Sequence, residues 1–161
     1  MDYIYLGDAK TATNRQYLQD NGITCVITVA PVEEFAIEYS GDGIQSYRIP
    51  IPDDGMHSLK PYLSEALRII RNVTDRKEGV LIHCIEGRSR SPALLLAYLL
   101  MVKGLNLKEA FTMLKRNYSN VRPRYQLFDE LLALERDLFG NVNTVSHRDN
   151  YEPIILGPAQ S

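Results

Sequence analysis

Gly79-Val80-Leu81-Ile82-His83-Cys84-Ile85-Glu86-Gly87-Arg88-Ser89-Arg90-Ser91-Pro92 decides how this chain of 161 residues is read. Its first part, Gly79 to Cys84, is short and almost continuously apolar, the pattern of a strand buried on both faces of a parallel sheet. Its end opens a helix. Ser91 suits the N-cap and Pro92 the first helical position, and Ala93 to Val102 is apolar on every side, as in a central core helix. The residues between form a loop at a strand-to-helix junction, and that loop holds a cysteine and a fixed cation.

Each residue type in the loop has a chemical use. The five residues between Cys84 and Arg90, namely Ile85, Glu86, Gly87, Arg88 and Ser89, are enough to wrap backbone N–H groups around a tetrahedral dianion. Gly87 allows the positive φ or the close approach that such a nest needs. The helix dipole points at the same spot. A thiolate is the nucleophile, and amides, helix end and Arg90 all favour it over the thiol. Arg90 offers a planar fork that holds two phosphoryl oxygens at once, which a lysine does not. Ser91, with Ser89 as a second candidate, places a hydroxyl near the sulfur and eases its departure. His83 reads as a structural residue beneath the loop rather than a general base. These are the parts of a phosphatase that works through a phosphocysteine.

His83 to Pro92 resembles the HCxxGxSRS signature of dual-specificity phosphatases, within the cysteine-based protein tyrosine phosphatase superfamily. The likeness extends over about residues 3 to 139. Ile4-Tyr5-Leu6-Gly7 resembles the family's opening strand, Gly22-Ile23-Thr24-Cys25-Val26-Ile27 its second, and Ala97-Tyr98-Leu99 the helix after the loop. Lys115-Arg116-Asn117-Tyr118-Ser119-Asn120-Val121-Arg122-Pro123 resembles the connection before its last helix. The resemblance implies a phosphocysteine mechanism without metal or cofactor, and phosphotyrosine, phosphothreonine or phosphoserine in a protein as substrate. It also implies a general acid on a loop some thirty residues before the cysteine. There the chain reads Ile51-Pro52-Asp53-Asp54-Gly55, in which Asp53 best matches the family position and Asp54 is the alternative. Pro-Asp-Asp-Gly is equally good chemistry for a plain turn.

The chain departs from the family after the late proline, where many relatives have Asn and this one has Arg124, with Arg122 just before. Arg122, Arg124 and Arg88 are thus candidate rim cations for acidic or doubly phosphorylated peptides, or else a solvated basic turn. The chain starts almost at its first strand, and for a chain with that start the resemblance implies a shallow pocket open to both phenolic and alkyl phosphates. The loop lacks the extra lysines of the superfamily's phosphoinositide phosphatases, but Arg88 also suits a lipid headgroup or an RNA 5′ end. The alternative functions are therefore a phosphoinositide or RNA 5′-phosphatase of the same mechanism, or a phosphate-binding pseudophosphatase.

Composition sets the outer bounds. The length suits one domain with a sizeable core, and the formal charge of −2 argues against a nucleic-acid binder held by a general basic field. The two cysteines make no secreted disulfide framework. Cys25 reads as core. Met1-Asp2-Tyr3 lacks a myristoylation glycine, no prenylation box or signal-peptide core is evident, and the apolar run at Ala93 is too short to span a bilayer. The expectation is an intracellular protein, cytoplasmic or nuclear, with no membrane partner.

The remaining pattern alternates strands and helices, which means a single α/β domain: a central, mostly parallel sheet flanked by helices, in the manner of protein tyrosine phosphatases. Asp8 caps a helix over about 9–20, and strands follow at 23–29 and 44–51, with an irregular connection over 31–43 between them. Pro61 opens a helix with Leu63, Ala66, Leu67 and Ile70 on one face. Asn106 caps another, with Leu107, Ala110, Phe111 and Leu114 at helical spacing, and the last runs over about 125–138. Residues 1–139 are read as the catalytic domain. Residues 140–161 form a tail that is flexible or docks, with an apolar clip at Tyr151-Glu152-Pro153-Ile154-Ile155-Leu156.

Overall fold

The computed structural model describes residues 1–151. In chain order the elements are β1 (Ile4–Gly7), α1 (Ala9–Thr13), α2 (Arg15–Asp20), β2 (Ile23–Val29), β3 (Gln45–Ile49), α3 (Lys60–Asp75), β4 (Gly79–His83), α4 (Arg90–Met101), α5 (Leu107–Asn117), α6 (Tyr125–Phe139) and α7 (His147–Tyr151). The four strands lie in the order β1-β4-β2-β3, and every pairing is parallel. Side chains of a strand alternate between faces, and the two cores follow that alternation. Val80, Ile82 and Cys84 join Cys25, Ile27 and Val29 under α3 and α4, in the larger core. Leu81 and Val26 face the other way, onto Ala12, Leu18 and Tyr39. The odd–even split thus fixes Cys84 on the face of α4 and His83 on the opposite one.

The apolar run after the loop is the central helix. From Arg90 to Leu100 every residue of α4 is buried. It begins one residue before Ser91: Ser89 stands at the N-cap, and Arg90 rather than Pro92 is the first helical residue. The reason is chemical, because the Ser91 hydroxyl is turned to the Cys84 sulfur instead of capping the helix. The first long helix is also two short ones. Asp8 caps α1 as expected, but the Asn14 side chain accepts from the Tyr17 N–H and so restarts the chain as α2. Asparagine competes with helix continuation in this way. The strand expected over 44–51 is shorter, Gln45–Ile49.

Beyond Gly140 the chain is held onto the domain as far as it is described. Glu135, wholly buried on α6, accepts from the Leu107 N–H at 2.6 Å, the Thr144 hydroxyl at 2.6 Å and the Asn143 side chain at 3.1 Å. Burial alone would raise the Glu135 carboxyl. These donors outweigh it and hold the group below the usual carboxylate range. His147 stacks on Tyr125 with centroids 3.8 Å apart, and buried Asn150 donates to the Pro123 carbonyl at 2.8 Å. α7 was not legible in the polar sequence before it. The apolar clip lies outside the described residues after Tyr151. No helix among the described residues is long and apolar enough to cross a membrane.

Candidate active site

Because all four strands run the same way, the loops that leave their carboxyl ends meet along one edge of the sheet. The loop from Cys84 to Arg90 follows inner strand β4, between the loop after β1 and the loop after β2. Gly87 has φ of +72°, and a Cβ built there would lie 3.0 Å from the Gly7 carbonyl oxygen. Only glycine meets both demands. The Ile85 carbonyl accepts from the Ala9 N–H at 3.0 Å, which ties the loop to β1 on that side. On the other side the Arg88 carbonyl accepts from the Arg122 N–H at 2.7 Å, and Ser89 Oγ accepts from the Arg124 N–H at 2.8 Å. The loop is therefore clamped by backbone from two directions before any ligand arrives.

Under it sits His83. Burial pushes its imidazole down to about 4, so the ring is neutral at ordinary pH. A carbonyl can only accept, so Nδ1 carries the hydrogen and donates to the Cys84 carbonyl at 2.9 Å. Nε2 is then the acceptor for the Thr28 hydroxyl at 2.7 Å. The Phe35 ring meets the imidazole edge-on, with centroids 5.0 Å apart. This leaves His83 no proton to exchange with substrate. It orients the peptide that carries the cysteine.

Cys84 itself is 3 % exposed and its sulfur lies 3.1 Å from Ser91 Oγ. Arg90 is equally buried, a cation drawn to the cleft by two acceptors. Its Nη1 donates to the Ile51 carbonyl at 2.8 Å and its Nη2 to Glu34 at 2.9 Å. The guanidinium is thus held in place with further N–H edge to offer to an anion. Glu34, from the loop after β2, had no signal in the sequence. It lies in the irregular 31–43 connection, where no periodicity or turn pattern marks one acidic residue over another. Ile51 contributes only its backbone, which a side-chain reading does not see.

Glu34, Asp53, Cys84, Ile85, Glu86, Arg88, Ser89 and Arg90 line one open cleft. Of the two candidate acids, Asp53 faces this cleft and Asp54 does not. Asp54 turns to His57, 2.8 Å away, and to the Met56 N–H at 2.9 Å. The His57 hydrogen bond first, and then that N–H, hold the Asp54 carboxyl below its usual range. Arg124 reaches Asp53 across the mouth of the cleft, with Nε 2.6 Å from Oδ1 and Nη2 3.3 Å from Oδ2. The Asp53 carboxylate raises the affinity of Arg124 for its proton further, by hydrogen bond and by charge. Arg88 stands half-exposed at the rim. Arg122 points elsewhere, its guanidinium 5.7 Å from the centre of the Tyr151 ring. The second cysteine is remote from this chemistry by placement: Cys25 is buried in β2, which pushes its thiol up to about 11.

The arrangement joins a buried cysteine thiol, a loop of the length that wraps an anion at a helix start, a buried guanidinium and a facing carboxyl. Comparison with known proteins places the chain in a family. The family model described as dual specificity phosphatase, catalytic domain, matches residues 4–137. Dual specificity protein phosphatase 7 of Rattus norvegicus is 35% identical over 153 residues, covering 95% of this chain and 35% of that protein. Human dual specificity protein phosphatase 6 is 33% identical over 138 residues, covering 86% of this chain and 36% of that protein. The chain thus spans about a third of the length of these curated relatives. Among solved structures, human DUSP28 superposes with a TM-score of 0.79 at 26% identity, over 86% of this chain and 94% of that one.

Proposed function

This chain belongs to the dual specificity phosphatase catalytic-domain family, and from that premise we propose that it hydrolyses phosphotyrosine and phosphoserine or phosphothreonine in proteins through a phosphocysteine. The observation that supports this most directly is the cleft that Cys84, Arg90 and Asp53 line together. In the first step the Cys84 thiolate attacks phosphorus in line with the leaving oxygen. The P–O bond breaks, its electron pair stays on that oxygen, and Asp53 supplies the proton. The loop amides of Ile85 to Ser89 and the free edge of Arg90 hold the equatorial oxygens as charge moves across them. In the second step Asp53, now a carboxylate, takes a proton from water as the water attacks phosphorus. The S–P bond breaks and its pair returns to sulfur.

Ser91 acts in this second step. Its hydroxyl, 3.1 Å from Sγ, donates to the departing thiolate. His83 holds the Cys84 peptide and takes no part in proton transfer. Arg88 and Arg124 favour substrates with further negative charge near the scissile group. The two cysteines fit a reducing, intracellular compartment.

The test is phosphate release by the wild-type chain and Cys84→Ser from a phosphotyrosine peptide, a phosphothreonine peptide and a phosphoinositide, without added metal. Release from both peptides, abolished by the substitution, is the expected result. Release from the lipid alone would keep the mechanism and replace the substrate class. Binding of phosphopeptide without release would make the chain a phosphate reader.

A further inference from the structure

Arg124 is in contact with both catalytic loops. Its backbone N–H donates to Ser89 Oγ in the phosphate loop at 2.8 Å, and its side chain grips Asp53 with Nε and Nη2 at 2.6 and 3.3 Å. Both Asp53 oxygens therefore accept from a guanidinium. Donation to a leaving oxygen needs the opposite arrangement, with one oxygen protonated and turned to the substrate. The two roles exclude each other. The guanidinium is also reachable, since the Arg124 side chain is 52% exposed. Asp54 and Glu86 add to the negative field around it. A cation so placed is drawn to any anion that enters the mouth of the cleft.

We propose that Arg124 latches Asp53 in the empty enzyme, and that an anionic side chain beside the scissile phosphate of a peptide substrate takes Arg124 over and frees Asp53 to act as the acid. This rests on the assignment of Asp53 as the acid in the function proposed above. It makes substrate choice a matter of turnover as well as binding. A peptide with a neighbouring phosphorylated or acidic residue exchanges one ion pair for another and unlatches the acid. A neutral peptide must break the pair unaided. An exposed ion pair is weak, so the latch is worth about two- to fivefold in the population of free Asp53.

The experiment uses two phosphotyrosine peptides that differ only in a glutamate or a glutamine two residues from the phosphotyrosine. Wild type turns over the acidic peptide with a kcat about two- to fivefold higher. Arg124→Gln raises kcat on the neutral peptide to the acidic level and removes the difference. Arg124→Lys, which keeps the charge but loses the two-pronged grip, falls between. In the Asp53→Asn background Arg124→Gln no longer raises kcat on the neutral peptide. A fall in kcat on both peptides with Arg124→Gln would overturn the latch and make Arg124 a support for the acid loop. A preference for the acidic peptide confined to KM would overturn it too. If Asp53→Asn left kcat intact while Cys84→Ser abolished release, the acid assignment would fail, and the latch with it.

Discussion

Replacing Gly87 by alanine separates the cost of backbone shape from the cost of catalytic misplacement. At φ of +72° an alanine is strained wherever it stands, by roughly 1–2 kcal/mol. Gly104, at +69° between α4 and α5, carries the same strain, and a Cβ there would meet nothing within 4 Å. At Gly87 the new Cβ would sit 3.0 Å from the Gly7 carbonyl oxygen and 3.3 Å from its carbon. That neighbour is backbone and cannot step aside, because Gly7 pairs with His83 in the sheet and Ala9 donates to Ile85 just beyond. The phosphate loop must move instead. Overpacking of this kind adds roughly 1–3 kcal/mol, and displacing a phosphate-holding loop by a fraction of an ångström costs roughly 10- to 10²-fold in rate. Thermal unfolding, at about 2–4 °C per kcal/mol for a chain of this size, and kcat/KM on p-nitrophenyl phosphate read the two effects. Gly104→Ala should lose only stability, while Gly87→Ala loses more stability and most activity. If Gly87→Ala kept kcat/KM within threefold or so of Gly104→Ala, the close approach would not be what shapes the loop.

Asp53→Asn should lower kcat/KM, which reads the first step, by about 10²–10⁴-fold for phenyl and alkyl phosphates and much less for p-nitrophenyl phosphate, whose leaving oxygen needs no proton; equal losses would remove Asp53 as the donor to the leaving oxygen. Ser91→Ala should slow release of phosphate from the phosphocysteine by about tenfold to 10²-fold, seen as a burst of phenol ahead of a slow steady state. A linear time course at reduced rate would place the loss in the first step. The unfolded chain takes up the His83 proton near ~6.5, whereas the folded one resists it until about 4. Between these values the unfolded state binds more protons, so stability is complete above pH 6.5 and drains as the pH falls, by up to about 3 kcal/mol at pH 4. Melting temperatures of wild type and His83→Gln across this range should converge on acidification.

Legibility followed locality. The strand, loop and helix around Cys84 were readable because hydrophobic run, glycine and arginine spacing lie in one stretch, and the alternation of Val80, Ile82 and Cys84 against Leu81 and His83 carries over directly into the two cores. Asp53 was reachable through a resemblance and a spacing, and the geometry separates it from Asp54 by what each carboxyl faces. Helix starts were less readable. Ser91 has the right chemistry for a cap, but the sulfur is a competing partner that only the folded chain supplies. Asn14 interrupts a run that periodicity alone would continue. Glu34 and the Ile51 carbonyl were beyond reach, since their role exists only because Arg90 arrives between them from a distant part of the chain.

The parallel sheet explains why such distant pieces converge. Strands that all point one way send each loop to the same edge, so Gly7 ends β1 and Asp8 follows it, Glu34 and Phe35 follow β2, Ile51 and Asp53 follow β3, and Cys84 follows β4. Each of the other loops gives the loop after β4 something it cannot make for itself. β1 supplies the wall that forces a glycine, β2 the carboxylate on Arg90 and the ring on His83, and β3 the carbonyl on Arg90 and the Asp53 carboxyl that faces the cleft. The fourth support, the connection from Arg122 to Arg124, comes from outside the sheet, and it adds a cation that holds the Asp53 carboxyl. A support fixed to the sheet can only hold. One that hangs from a helix start with its charge half in solvent can also let go, which is why the latch we propose sits at Arg124 rather than at Arg90.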